Sequence, residues 1–302
     1  MPRFPLLRLP TLPLLNCIQY LKVFEIIDFS LLSKRTKTLV SLVNWNQPDI
    51  HLNFIEDSQI CLKFPNDPGL EWILDFESEF DDELNHTLEH RWKSNCKMGV
   101  CTLQPSVVDV HIKIDYITAP TLLFILDNIK MTDNFSLNLE VNTPDFEYNQ
   151  AIDIPTLILS HSHWITLKSI LNSSSRVLIL DESNLNLHDI NTLLKCWLNG
   201  SNPQLEYISI RRSIKKMEEN VEEAFQIITK DLEVRKHEED GRKPMKIVLH
   251  KKATYQLSNV VCYDIVRDDG TIGTFHQTYF NRSDVPDFKL HYFNFHVWNK
   301  KI

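Results

Sequence analysis

The chain has 302 residues, 43% of them hydrophobic and 24% charged, with a formal net charge of -8. That length suits one large or two smaller globular domains with a buried core, and the acidic balance gives no global electrostatic reason to bind nucleic acid. Only 6 glycines stand against 14 prolines, which argues against glycine-rich loops that cradle phosphates. The prolines Pro2, Pro5, Pro10 and Pro13 interrupt the apolar N-terminus where a signal peptide needs an unbroken stretch. No apolar run approaches the roughly 18 residues of a membrane span. Six scattered cysteines, several inside apolar runs, suit a reducing compartment. The expectation is a cytoplasmic or nuclear protein without a bound cofactor.

In chain order, residues 4–45 read as three short helices. Thr11 is a candidate cap for the first, on which Leu14, Ile18 and Leu21 share a face. Phe24–Leu32 forms the second, and Ser33 caps a third that runs through Lys34, Arg35, Leu39 and Leu42. Leu9, Leu14, Ile18, Ile26, Ile27, Leu31 and Leu32 are more apolar residues than three short helices bury among themselves. Exposed apolar clusters of that kind mark interaction surfaces, and Pro10 pre-sets the chain entering them.

From about residue 46 the texture is strand-like. Ile50–Phe54 and Gln59–Phe64 alternate apolar and polar residues, Asn66-Asp67-Pro68-Gly69 reads as a turn, and Asp75–Glu83 is strongly acidic. Val107–Ile112 is a strand, Ala119–Met131 a helix and Phe135–Val141 a strand. Arg176–Leu180 and Leu205–Ile210 are strands around a helix over Asp189–Leu198, closed by Asn199-Gly200. A strand-to-strand distance of about 30 residues suits a leucine-rich-repeat-like β/α unit, with a generic parallel α/β layer as the alternative. Residues 213–235 predict one amphipathic helix with Ile214, Met217, Val221, Phe225, Ile228 and Leu232 along a face. Tyr263–Arg267, Asp268-Asp269-Gly270 and Thr271–Phe275 predict a hairpin, because Asp-Gly supplies the positive φ of a tight turn. Leu290–Trp298 alternates as a last strand.

The N-terminal pattern resembles the F-box, the motif that docks substrate receptors onto the Skp adaptor of Skp–cullin–F-box ubiquitin ligases. Leu9-Pro10, Leu14, Ile18, Leu21, Ile26-Ile27 and Leu31-Leu32-Ser33-Lys34-Arg35 carry the match. The remainder resembles the F-box-associated (type 2) domain of a nematode-expanded family of F-box proteins. That match rests on Val177-Leu-Ile-Leu-x-x-Ser-Asn-Leu, Asp189–Trp197, Asn202-Pro203-x-Leu205-Glu206, the 263–271 hairpin and Phe295-x-Val297-Trp298. The resemblance implies an F-box over residues 1–45 and an α/β substrate-recognition domain over 46–302, leucine-rich-repeat-like and ending in an antiparallel hairpin. It implies Leu9, Pro10, Leu14, Ile18, Leu21, Ile26, Ile27, Leu31 and Leu32 as adaptor-binding residues. It further implies a Skp-family adaptor, and through it cullin, as partners, a protein target of unknown identity, and no chemistry of the chain's own.

Other constellations compete with this reading. His86, His90, Cys96 and Cys101 are zinc-ligand types, but their spacing lacks the close cysteine pair of a zinc knuckle. His161 and His163 beside Ser160 and Ser162 are the residues a small hydrolase would use, yet no Gly-x-Ser-x-Gly elbow occurs. Asp181-Glu182 and Asp268-Asp269 read as turn residues before they read as acid–base pairs. A third reading is an interaction module without a ligase role.

Overall fold

The computed structural model describes residues 6–21, 23–43, 49–54, 58–65, 67–76, 106–143, 145–215, 220–237, 246–249, 253–256, 261–281 and 287–298. The chain divides into two compact units, Met1–Asp109 with Phe124–Met131, and Val110–Leu123 with Thr132–Ile302. It is a mixed α/β protein with seven α-helices among the described residues.

In the first unit a short 3-10 turn, Leu6–Arg8, leads into α1 (Thr11–Gln19), α2 (Val23–Leu31) and α3 (Lys34–Leu42). Thr11 is the first helical residue and not the cap. Pro10 holds the cap position, which it suits through its fixed φ although it has no side-chain acceptor. Ser33 caps α3 as the sequence predicts: its hydroxyl accepts from the Thr36 backbone N–H, and the Thr36 hydroxyl accepts from the Ser33 N–H. The Arg35 guanidinium donates to the Leu7 carbonyl at 3.2 Å, tying the entering turn to α3. The same unit contains β1 (Asp49–Phe54), β2 (Ser58–Phe64) and β3 (Asp67–Phe76), a meander of antiparallel neighbours. Phe64 pairs with Asp67, and Asp67-Pro68-Gly69 opens a strand, while Asn66 of the expected turn lies outside the described residues.

The chain then forms β4 (Ser106–Ile117), α4 (Ala119–Asn128) and β5 (Lys130–Val141), of which Val110–Leu123 and the residues from Thr132 onward belong to the second unit. The helix expected to reach Met131 stops at Asn128, and Met131 is a buried residue of β5. Then follow β6 (Thr156–Leu159), α5 (Leu167–Leu171), β7 (Val177–Leu180), α6 (Leu187–Leu198) and β8 (Tyr207–Lys215). β5, β6, β7 and β8 are consecutive parallel neighbours. The sheet then turns antiparallel through β14 (Phe288–Trp298), β13 (Ile272–Asn281), β12 (Tyr263–Val266) and β9 (Arg235–Lys236). β10 (Lys246–Leu249) and β11 (Ala253–Gln256) form a separate antiparallel pair. The parallel strands β6, β7 and β8 begin at residues 156, 177 and 207, so the spacing is uneven, and the β/α layer gives way to antiparallel strands after β8. The hairpin falls as predicted: Gly270 adopts φ 83°, and the Arg267 N–H donates to the Thr271 carbonyl across the turn at 2.9 Å.

The helix expected over 213–235 is a correction. Ile214 belongs to β8, where it pairs with Lys289 of β14, and the helix is only α7 (Val221–Ile228), capped by Asn220. The backbone of residues 213–215 completes its hydrogen bonds with β14, and that long-range pairing outweighs a weak local helical pattern.

The core follows from strand alternation. Leu157, Leu159, Leu178, Leu180, Ile208, Ile210, Phe275, Phe293 and Phe295 register on one face of the sheet and are buried. Trp197 of α6 meets Phe295 edge-on at 4.9 Å. A Cβ at Gly273 would stand 2.4 Å from the Phe295 ring, so only glycine admits this approach.

Candidate functional site

The three N-terminal helices bury a core of their own. Leu14 and Ile18 of α1, Ile26 of α2, and Leu39, Val40 and Val43 from α3 and its end form one cluster, with Leu9, Leu15, Leu21 and Phe29 packed against it. This cluster absorbs Leu14, Ile18 and Ile26, three of the predicted adaptor-binding residues, and half-buries Leu9 and Leu21. Pro10 is exposed at the start of α1. Ile27 lies in α2. Leu31 and Leu32 stand 46% and 71% exposed at the α2–α3 junction. Sequence reasoning passed over Leu12, 75% exposed. The signal was present: two residues before Leu14 on a helix is roughly the opposite face. Trp45 lies outside the described residues.

In the second unit, the carboxyl ends of β5, β6 and β7 carry loops that converge on a cleft of about 440 Å³. Its lining includes Glu140, Val141, Asp145, Phe146, Glu147 and His163. Backbone and side-chain hydrogen bonds lace the loops together. The Tyr148 N–H donates to the Trp164 carbonyl at 2.8 Å, the Ser162 N–H to Asp181 O at 2.8 Å, and Asn184 Nδ2 to His163 O at 3.1 Å. Asp145 and Glu182 take left-handed conformations, with φ of 57° and 52°, where these loops turn. Open α/β sheets present their binding crevices at this end of parallel strands.

The hydrolase candidates lie beside this cleft but do not form a catalytic set. Ser162 is fully buried and its hydroxyl donates to the Asp181 carbonyl at 2.8 Å. His161 Nδ1 lies 2.7 Å from Glu182 Oε2. Asp181 pairs with Arg211 at 2.9 Å, and burial raises its carboxyl above the ordinary range against the pull of that guanidinium. Asp268 and Asp269 sit in the hairpin turn, as read from the sequence. Asp269 is held low by accepting from the Thr271 N–H at 2.8 Å. Residues His86, His90, Cys96 and Cys101 and most of the acidic run lie outside the described residues, and no cluster of metal-ligand side chains occurs among the described ones.

Comparison with known proteins finds one match in each unit. A family model described as F-box domain matches residues 6–47, the segment of the three helices, and one described as F-box associated matches residues 145–210. The chain carries an F-box match followed by an F-box-associated match. Its F-box is the three-helix segment, and its F-box-associated match runs from the cleft loop after β5 into β8. Among curated proteins, the E3 ubiquitin-protein ligase hecw-1 of Caenorhabditis elegans is 25% identical over 189 residues, which is 61% of this chain. The chain spans 13% of the length of that relative. No solved structure matches the chain significantly.

Proposed function

We propose that the chain is the substrate-recognition subunit of a Skp–cullin–F-box ubiquitin ligase. The F-box docks on a Skp-family adaptor, and through it on cullin, while residues 46–302 hold a protein target. The chain performs no chemistry itself. It works by proximity, since tethering a target near a ubiquitin-charged enzyme raises the effective concentration of the two. The observation that carries this reading is the F-box match over a three-helix segment that leaves large leucines in solvent. Within that segment, Leu12, Tyr20, Leu31, Leu32 and Leu42 are among the described side chains with apolar surface left to bury against a partner, and Leu31 and Leu32 are the pair the sequence pattern also singles out. Leu14, Ile18 and Ile26 support docking by holding the helices in place.

Co-purification with a Skp-family adaptor tests this. Wild type binds, and a Leu31→Ala/Leu32→Ala variant loses affinity about tenfold or more, the usual effect of truncating central apolar anchors, with helical content unchanged. Ile18→Ala also loses binding, but together with helical signal. Failure of the wild type to bind the adaptor overturns the ligase reading in favour of a stand-alone interaction module.

A further inference from the structure

We infer that the cleft at the carboxyl ends of β5, β6 and β7 receives a basic side chain, lysine or arginine, from an extended segment of the target protein. The inference deepens the recognition role proposed above and rests on it for the word target, although the cleft's binding chemistry stands by itself.

Three features converge. First, the site is concave and sits on loops at the ends of three parallel strands. At about 440 Å³ it falls within the usual range of small binding sites, and its loops are laced to one another by the hydrogen bonds from Tyr148, Ser162 and Asn184. A pre-ordered wall spends little entropy on binding. Second, its lining is one-signed. Glu140, Asp145 and Glu147 contribute three carboxylates, and among the described lining residues there is no lysine or arginine. None of the three makes an ion pair with a described residue, in contrast with the neighbouring Asp181 and Glu182, which are matched with Arg211 and His161. Third, the carboxylates stand beside the half-buried ring of Phe146, which is itself braced by Trp164 at 5.9 Å between ring centroids. A long basic side chain matches that combination, its alkyl stem against Phe146 and its charged head among the carboxylates. A small metal ion would make no use of the aromatic wall, and an acidic peptide would be repelled.

The test is fluorescence anisotropy of the full chain with a labelled tetra-arginine peptide, with tetraglutamate as the control, at low and moderate salt. The expected result is saturable, salt-sensitive binding of tetra-arginine alone. Glu140→Gln/Asp145→Asn/Glu147→Gln weakens it about tenfold, the factor that three solvent-exposed ion pairs of ordinary strength amount to. Because the chain is acidic overall, a second variant removes three carboxylates elsewhere, Glu222→Gln/Glu223→Gln/Asp268→Asn, and leaves binding unchanged. Equal weakening in both variants reduces the effect to net charge and overturns the inference, as does the absence of saturable binding. Should the triple cleft variant fail to fold, Glu147→Lys alone serves, with the same expected loss. Adaptor co-purification run in parallel separates the two ideas: peptide binding without adaptor binding keeps the cleft and discards the ligase, and the reverse keeps the ligase and discards the cleft.

Discussion

Arg267 shows how much one side chain of this protein holds together. It leaves the 268–270 turn and crosses to the end of α6, donating from Nε to the Trp197 carbonyl at 2.5 Å and from Nη2 to the Ser201 carbonyl at 2.8 Å. Its guanidinium lies 4.1 Å from the Trp197 ring centroid. The carbonyls at a helix end need donors, and here a residue 70 positions away adds one to the Gly200 N–H that Trp197 O already accepts. Arg267→Ala removes both bonds and the stacking, although the Trp197 carbonyl keeps the Gly200 N–H at 3.0 Å, so it should cost about 1–3 kcal/mol, read as a lower denaturant midpoint at constant slope. Arg267→Lys recovers only part, because an ammonium lacks the planar fork. Three histidines make a second prediction. His276, His291 and His296 are buried in β13 and β14, and burial pushes them down to about 4, about 3 and about 3. His291 accepts from Arg212 Nε at Nδ1, 2.8 Å away, and its Nε2 faces Gln277 Oε1 at 3.1 Å, an arrangement that fixes the neutral tautomer. Below the ordinary histidine value of about 6.5 the unfolded chain takes up protons that the folded chain refuses. Stability is therefore fully present above pH 6.5 and declines on acidification towards pH 3–4, by about 1.4 kcal/mol per histidine per pH unit. Urea unfolding between pH 7 and 5 measures the decline, and His291→Gln should make it shallower by one histidine's share.

At the scale of elements, caps were the most legible part of the sequence where the capping residue is a hydrogen-bonding side chain. Ser33 was read correctly for that reason, whereas Thr11 was not, because Pro10 already occupies the cap position. Asn186 is a cap the sequence reading passed over: its side chain accepts from the His188 and Asp189 N–H groups at 2.9 and 3.0 Å, and Asp189 returns a bond to the Asn186 N–H. The expected helix began at Asp189, but α6 starts at Leu187. Asn186→Ala should cost about 1 kcal/mol, seen as a lower thermal midpoint with the β-sheet signal intact. The hairpin and the last strand were legible because their signals are local, an Asp-Gly turn and a period of two. The helix read over 213–235 failed because a strand's hydrogen-bonding partner is remote: β8 extends to Lys215 only because β14 lies beside it.

At the scale of the molecule, the sequence shows how many apolar residues the F-box segment holds but not which of them meet. Leu39 and Val40 of α3 cover Leu14, Ile18 and Ile26, and that assignment separates residues that build the unit from Leu31 and Leu32, which remain in solvent. The contrast between Ile18→Ala and Leu31→Ala/Leu32→Ala follows from this separation. The same holds for the cleft. Glu140, Glu147, His163 and Asn184 are scattered in sequence, and the sequence reading singled out His163 for a different chemistry. Parallel crossovers bring their loops to one end of the sheet.

By itself, the sequence determined the features that depend on neighbours along the chain: three short N-terminal helices with an F-box pattern, alternating strands, a tight hairpin and a mixed α/β class. Tertiary structure decided which face each residue turns to. The alternation in β14 suggests one apolar and one solvated face, yet His296, Asn294 and their neighbours Thr274 and His276 are buried on the polar side as well. A period of two says that successive side chains point in opposite directions. Whether either direction is covered depends on elements that pack from far away in the chain, and that information is carried by long-range contacts alone.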